Sequence, residues 1–236
     1  MSAHDELLAH KQRRIDAVHR MDPRRTALLV IDMQRGFMDP GAALMVPTAW
    51  DVVAPIKRAI DFCRGADIPV IFTEYVYSPA VPVLRGDPFG PEHLPAVPGQ
   101  PTGWGLPSSN CLDGSAGANA PDTVDELKPL PGELVIRAHT YDKFHGTPLD
   151  LALRARDVRY LMMAGILADI CVNCTLLSAT TREYRVTALT DGTTTIWPHI
   201  LEAVLDIWGR KFARLMTTDA ACEELAGATR HAPADS

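Results

Sequence analysis

Short apolar runs alternate with amphipathic segments along most of the chain. Six runs have the length and composition of buried strands: 26–32, 68–73, 134–137, 160–165, 185–191 and 213–217. Segments with helical periodicity separate or follow them, at 47–64, 147–156, 169–183, 200–212 and 219–225. Continuously apolar strands that alternate with helices are typical of a parallel sheet. The pattern therefore predicts a single three-layer α/β/α domain, Rossmann-like, with a mostly parallel six-stranded sheet.

Three stretches depart from this rhythm. Residues 1–24 are predicted to form a helical extension that precedes a domain over 25–228, and residues 229–236 are predicted to be a flexible tail. A segment at about 78–122 is crowded with Pro, Gly, Ser and Asn, and strand–helix alternation resumes after it. Long irregular segments inside a domain are usually functional, so we expect this insertion to be a lid or a subunit contact.

Composition and charge argue against several classes of protein function. The net charge of −6 argues against a nucleic-acid partner, and no apolar run reaches the about 18 residues of a membrane span. Five scattered cysteines without an export signal indicate reduced thiols in a cytoplasmic protein. The Cys171–Cys174 pair has no second pair of Cys or His residues at metal-ligand spacing, so no metal and no cofactor are expected.

In open parallel sheets, sites form beyond the carboxyl ends of the strands. Asp32, Glu74 and Asp191 lie at or just after such ends, and Cys171 lies where the fourth strand turns into a helix. A thiol at a helix N-terminus is expected to favour the thiolate, and the N–H groups there could bind an oxyanion. If Asp32 accepts the thiol proton, these groups suit acyl transfer through a thioester.

Simpler interpretations of the same residues stay open. Free cysteine is among the most buried residue types, so Cys171 could be a packing residue, and a strand-end Asp32 could merely cap a loop. Cys171 and Cys174 also form a C-x-x-C pair, which is compatible with a redox dithiol.

Four segments carry a family resemblance. They are LLVIDMQRGF at 28–37, YDKFHGTPLD at 141–150, AGILADICVNCT at 164–175 and YRVTALTD at 184–191. In this order they resemble the isochorismatase-like cysteine hydrolases, a group with nicotinamidases, N-carbamoylsarcosine amidase, biuret hydrolase and ureidoacrylate amidohydrolase. The stretch from 144 to 191 is most similar to the ureidoacrylate and biuret branch.

The resemblance implies a Cys–Asp–Lys triad that hydrolyses a small linear amide or ureide. Cys171 matches the nucleophile and Asp32 matches the general base. The oxyanion is expected on the N–H groups of Leu167 and Cys171, next to a cis peptide between Ile166 and Leu167. The family lysine falls on Ala138, which can supply neither charge nor a side-chain hydrogen bond.

Ala138 leads us to expect impaired turnover. Three explanations compete for the presence of alanine at this position. Ala138 could be a substitution made to inactivate the enzyme, or a natural loss in a repurposed member that only binds a small molecule or assembles. Alternatively, Arg137, His139 or Lys143 could replace the lysine. Arg137 should face the opposite side of the strand, and Lys143 has the reach only if its loop folds back.

The resemblance also suggests how substrate is bound. Residues expected to contact it are Gln34, Phe37, Tyr141 and Asn173. Arg35 and Arg85 are candidate clamps for a substrate carboxylate. The histidine-containing metal loop of nicotinamidases has no counterpart at 73–83, and Cys171 argues against true isochorismatases, which lack it. A homo-oligomer, dimer or tetramer, is expected from the family.

Overall fold

A six-stranded, wholly parallel sheet forms the centre of the computed structural model, which describes residues 3–42, 44–78, 111 and 113–230. The strands are β1 Thr26–Ile31, β2 Val70–Tyr75, β3 Leu134–Ala138, β4 Tyr160–Gly165, β5 Arg185–Thr193 and β6 Ala213–Met216. Their spatial order is β3-β2-β1-β4-β5-β6. The predicted α/β fold with six strands is confirmed.

Seven α-helices accompany the sheet in the described ranges. They are α1 Ala3–His19, α2 Arg35–Met38, α3 Val53–Gly65, α4 Leu149–Arg154, α5 Asn173–Thr181, α6 Pro198–Ile207 and α7 Thr218–Arg230. Three predicted helices are divided: a 3₁₀ helix, Pro47–Val52, leads into α3, a π-helical turn, Ala168–Val172, leads into α5, and a π-helical turn, Trp208–Phe212, follows α6. The second division places Cys171 in the π-helical turn.

Apolar residues on both faces of the sheet produce two separate core layers. Along β1, Leu28 and Val30 belong to one buried cluster, whereas Leu29 and Ile31 belong to the other. Helices α3 and α7 contribute to the first layer, and α4, α5 and α6 contribute to the second. Because successive side chains of a strand point to opposite faces, a strand buried on both sides reads as the continuous apolar run seen in the sequence.

The strand order reverses beside β1, and this creates the crevice where parallel sheets place their sites. From β1 the chain proceeds outward to β2 and β3, and then returns to form β4 on the other side of β1. Asp32 follows β1 directly, and residues 166–171 follow β4. The topology therefore brings these two segments together.

Gly165 permits the close approach of β1 and β4. Its backbone has φ +124°, and a Cβ at this position would lie 2.1 Å from the carbonyl oxygen of Ile31. We predict that Gly165→Ala lowers the free energy of unfolding by about 3 kcal/mol, because the strands would have to separate. Urea unfolding measures this change. Gly65→Ala is the matched control because its Cβ meets no atom within 4 Å, so an equal loss in both variants would contradict the explanation.

The N-terminal helix packs against the domain that follows it. In α1, the Lys11 ammonium donates to the carbonyl of Arg210, and His19 Nδ1 lies 3.0 Å from the carbonyl oxygen of Val186. Within the described ranges, no helix combines the length and apolar composition that a bilayer span requires. Most of the predicted insertion, including Arg85, and the tail from 231 onward lie outside the described residues.

Candidate active site

Asp32 is the first residue after β1 and is completely buried. Its backbone is left-handed, with φ 54°, a conformation that Asp adopts more readily than most residues. The neighbouring strand holds it twice: its N–H donates to the Thr73 carbonyl at 3.1 Å, and its Oδ1 accepts the Thr73 hydroxyl at 2.7 Å. The carboxylate therefore has a defined orientation, with Oδ2 turned to a different partner.

That partner is Lys143, which lies in the loop between β3 and α4. The Lys143 side chain is wholly buried, and its Nζ lies 2.7 Å from Asp32 Oδ2. The ammonium also donates to the Thr140 carbonyl at 3.1 Å and lies 5.3 Å from the centre of the Tyr75 ring. Burial by itself lowers the pKa of Lys143, but the Asp32 carboxylate and the Cys171 sulfur raise it, and the net pKa lies above its ordinary value. Lys143 is therefore a stable cation inside the protein.

Ala138, the position matched to the family lysine, ends β3 and is completely buried. It pairs with Tyr75 in the register of β2 and β3, and its carbonyl accepts the N–H of Val76 at 2.8 Å. The small side chain thus occupies a packed position in the sheet. The cation beside Asp32 comes from the following loop instead.

The other two cations proposed as replacements are engaged elsewhere. Arg137 is half exposed and forms ion pairs with Glu74, Asp113 and Asp122, at 3.2 to 3.4 Å. His139 Nδ1 lies 2.6 Å from a backbone carbonyl, that of Val76. Of the three, Lys143 is the residue that contacts the Asp32 carboxylate.

The loop that carries Lys143 is folded back by side chains on both sides of it. The Lys143 N–H donates to Thr175 Oγ1 at 3.2 Å, and the Thr147 hydroxyl donates to the Lys143 carbonyl at 2.5 Å. One residue earlier, Asp142 Oδ2 accepts the hydroxyl of Ser178 at 2.8 Å. These contacts meet the condition under which Lys143 was expected to reach the site.

Cys171 is nearly buried, and the segment before it has the geometry that the resemblance implies. The peptide bond between Ile166 and Leu167 is cis. The Leu167 carbonyl accepts the N–H groups of Ile170 and Val172, both at 3.1 Å, which closes the turn around Cys171. The Leu167 N–H makes no hydrogen bond with any residue that the structure describes.

Burial raises the pKa of the Cys171 thiol well above its usual value. The Lys143 ammonium lowers this pKa, whereas the Asp32 carboxylate raises it. Desolvation by burial is the largest of these effects on the thiol. At neutral pH the resting site holds a neutral thiol beside a lysine–carboxylate ion pair.

Gln34 is completely buried and its side-chain amide is used within the protein. Nε2 donates to the carbonyls of Tyr75 at 2.9 Å and Pro121 at 2.5 Å, and Oε1 accepts the Tyr75 N–H at 2.7 Å. The amide has no hydrogen left for a substrate, so Gln34 instead joins β2 to the segment after the insertion. Phe37 packs in the core, and its contact with substrate stays a prediction.

The remaining residues predicted from the sequence to bind substrate are Tyr141, Asn173 and Arg35, and each has different contacts. Tyr141 is half-buried and stacks on Tyr75, the ring over which the Lys143 ammonium lies, with the two ring centres 6.2 Å apart. Asn173 accepts the indole N–H of Trp208 with its side-chain oxygen, at 2.9 Å. Arg35 is paired with two surface carboxylates, those of Asp39 and Asp125.

Thr73 and Thr175 are site residues that sequence reasoning missed. Thr73 ends the apolar run of β2, and Thr175 is the last residue of the C-V-x-x-T motif, so both had a positional signal. Neither side chain can act as an acid or base at neutral pH. What identifies them as site residues is their hydrogen bonds: Thr73 bonds to Asp32, and Thr175 bonds to the Lys143 loop.

We predict that Thr73→Val lowers kcat/KM by about tenfold to a hundredfold, because a hydrogen bond to a charged group contributes about 1.5–3 kcal/mol. Valine has nearly the same shape but cannot hold Asp32 Oδ1. Thr73→Ser keeps the hydroxyl and should retain most activity. Steady-state kinetics of both variants measure the effect, and equal losses would show that the methyl group rather than the hydroxyl matters.

Comparison with known proteins agrees with this geometry. Residues 26–220 match the sequence model of a family described as the isochorismatase domain. The chain belongs to the isochorismatase family. The ureidoacrylate amidohydrolase RutB of Methylobacterium radiotolerans is 33% identical over 219 residues, covering 91% of this chain and 84% of that protein. RutB of Caulobacter segnis is 31% identical over 199 residues, 77% of each chain.

Solved structures share the fold. A cysteine hydrolase from Pseudomonas syringae pv. phaseolicola superposes with a TM-score of 0.76 at 24% identity, covering 89% of this chain and 96% of that one. N-carbamoylsarcosine amidase from Thermoplasma acidophilum superposes with a TM-score of 0.66 at 27% identity, covering 83% and 97%. The isochorismatase-like α/β architecture predicted from the sequence is thus confirmed.

Proposed function

We propose that this member of the isochorismatase family hydrolyses a carbon–nitrogen bond of a small linear amide or ureide through a thioester on Cys171. Family membership and similarity to ureidoacrylate amidohydrolases support hydrolysis of such a bond. The observation that carries the mechanism is the contact of 2.7 Å between Lys143 Nζ and Asp32 Oδ2, both buried. It supplies the positive charge that Ala138 does not.

In the first half of the proposed reaction, Asp32 removes the proton from the Cys171 thiol as the sulfur attacks the substrate carbonyl. The neutral resting thiol suits this order, because the proton leaves only when the new bond forms. The carbonyl oxygen becomes an oxyanion that accepts the N–H groups of Leu167 and Cys171. The tetrahedral intermediate then expels the nitrogen, which takes the proton held by Asp32 and leaves as ammonia or an amine.

In the second half, Asp32 is again a carboxylate and removes a proton from water. The hydroxide attacks the thioester carbonyl, the same two N–H groups hold the oxyanion, and the carbon–sulfur bond breaks. Cys171 regains its proton from Asp32, and the acid product leaves. Lys143 remains charged throughout and stabilises the ionised form of Asp32 at each stage.

The expectation of impaired turnover is replaced by one of normal turnover. Ala138 was the feature that favoured an inactivated or repurposed member, and the buried Lys143 ammonium offers a cation for the same carboxylate. The proposed site is therefore Cys171, Asp32 and Lys143, with Ala138 as a packing residue. Assembly into a dimer or tetramer and a cytoplasmic location stay predictions.

Release of ammonia or amine from a panel of ureides and amides tests this function. The panel should contain ureidoacrylate, biuret, N-carbamoylsarcosine and simple aliphatic amides. We expect turnover of at least one compound without added metal, and an acid-quenched adduct whose mass maps to the peptide with Cys171. Turnover with the adduct on another cysteine would contradict the mechanism, and no turnover of any ureide or amide would contradict the function.

A further inference from the structure

We propose that Thr175 is a positioning residue that holds the Lys143 loop against the nucleophile turn. This proposal rests on the proposed function, because it assigns a role within the Cys171, Asp32 and Lys143 site. The Thr175 hydroxyl is completely buried and donates to the Cys171 carbonyl at 2.7 Å. The same oxygen accepts the Lys143 N–H at 3.2 Å.

One hydroxyl thus connects the backbone of the nucleophile with the backbone of the lysine. Thr175 Oγ1 also lies 3.3 Å from the carbonyl oxygen of Tyr141, in the same loop as Lys143. Because a hydroxyl has one hydrogen and two lone pairs, it can donate to a carbonyl and accept from an N–H simultaneously. A valine or alanine side chain can do neither.

The location of Lys143 explains why such a connection is needed. A lysine on a strand is held by the ladder of the sheet, but Lys143 lies in an irregular loop after β3. Its other backbone contact, from Thr147, comes from the same loop and cannot set the position of the loop relative to Cys171. Thr175 belongs to α5, one turn after Cys171. Its hydrogen bonds therefore fix the lysine loop relative to the nucleophile.

A purely local role for Thr175 is the competing interpretation. Threonine in a helix often donates to the carbonyl four residues earlier, and the bond to Cys171 has that form. Thr180 provides the matched control, because its hydroxyl donates to the carbonyl of Leu177 at 2.8 Å on the same helix. Thr180→Val therefore removes a helix back-bond without touching the lysine loop.

The test compares Thr175→Val, Thr175→Ser and Thr180→Val by two measurements. The first is kcat and KM for the substrate found with the wild-type chain. The second is the rate at which iodoacetamide alkylates Cys171 as a function of pH, mapped by peptide mass, which requires no substrate. Circular dichroism and urea unfolding establish that each variant is folded, and Thr175→Ala is used if the valine variant does not fold.

We expect Thr175→Val to lower kcat about tenfold or more while KM changes less than about twofold, since a lost hydrogen bond of the machinery affects the transition state. We also expect its alkylation profile to move to higher pH, because the ammonium that stabilises the thiolate is no longer held nearby. Thr175→Ser should restore both properties, and Thr180→Val should change neither.

An alkylation profile that does not move in folded Thr175→Val would overturn the proposal, as would an equal change in Thr180→Val. These outcomes are separate from failure of the proposed function. If the wild-type chain hydrolyses no compound of the panel, the proposed function fails, whereas the alkylation comparison still decides whether Thr175 sets the distance between Lys143 and Cys171.

Discussion

Lys143→Met is expected to lower kcat/KM by about 10²–10³-fold, the usual effect of removing a charge that stabilises a reaction centre. Methionine has similar length but leaves the buried Asp32 without its counter-ion. A buried charge without a partner is costly, so the proposed base is no longer stabilised in its active form. The same substitution should lower the free energy of unfolding by about 3–5 kcal/mol, because one partner of a buried ion pair is lost.

Steady-state kinetics and urea unfolding measure the two effects of Lys143→Met. Lys57→Met is the control, because Lys57 is exposed on α3 and pairs only with a surface carboxylate, that of Asp61, in the described part of the chain. A Lys143→Met variant with the kcat/KM of the wild type would show that the ion pair is structural and that the reaction uses no lysine.

Moving the lysine from position 143 to position 138 tests whether activity requires a lysine at 143 or can use one at 138. Ala138→Lys by itself should reduce activity and stability, because it buries a second ammonium in a packed position of the sheet. Combining it with Lys143→Gly moves the lysine of the proposed site to the position where the family resemblance expects it, and we predict partial recovery relative to Lys143→Gly. A higher kcat for Ala138→Lys by itself would instead identify Ala138 as a missing member of the site.

Cys171→Ala is expected to remove activity by at least about four orders of magnitude, as loss of a covalent nucleophile does in other hydrolases. The alanine variant should remain folded, because a small, nearly buried side chain is replaced by a slightly smaller one. Ammonia release is measured at high enzyme concentration, so that the small residual activity of the variant can be detected. No thioester adduct should be recovered from this variant.

Cys174→Ala is the matched control for the nucleophile. Cys174 lies one residue inside α5 and is partly exposed. Activity within about twofold of the wild type is expected for a cysteine outside the reaction. If both variants are equally inactive, a dithiol reaction involving Cys171 and Cys174 becomes the better explanation.

Local sequence was sufficient to predict the six strands and to propose two of the three residues of the proposed site. Continuously apolar runs predicted six strands, and β4 has the predicted bounds Tyr160–Gly165. Asp32 and Cys171 could be selected because each follows a strand, and carboxyl ends of parallel strands share one edge of a sheet. These signals depend on neighbours in the chain, so no tertiary contact was needed to find them.

Position in the chain does not show whether a side chain forms its hydrogen bonds within the protein. Gln34 belongs to a motif matched to the family, but backbone groups of β2 and of Pro121 take up its amide. The sequence likewise shows that Cys171 precedes a helix, but it does not show how deeply the thiol is buried. Desolvation, a property of the folded chain, determines the pKa of this thiol.

The sequence thus determined the α/β architecture and the proposal of Asp32 and Cys171 as site residues, whereas the tertiary structure decided which cation contacts Asp32. Counting residues pointed to Ala138, since a lysine in the next loop reaches Asp32 only if the loop turns back. Two hydrogen bonds of the Lys143 backbone hold that turn: its carbonyl accepts the Thr147 hydroxyl, and its N–H donates to Thr175 Oγ1. Thr175 lies on another element, so its contact with the loop exists only once the sheet and helix α5 have packed.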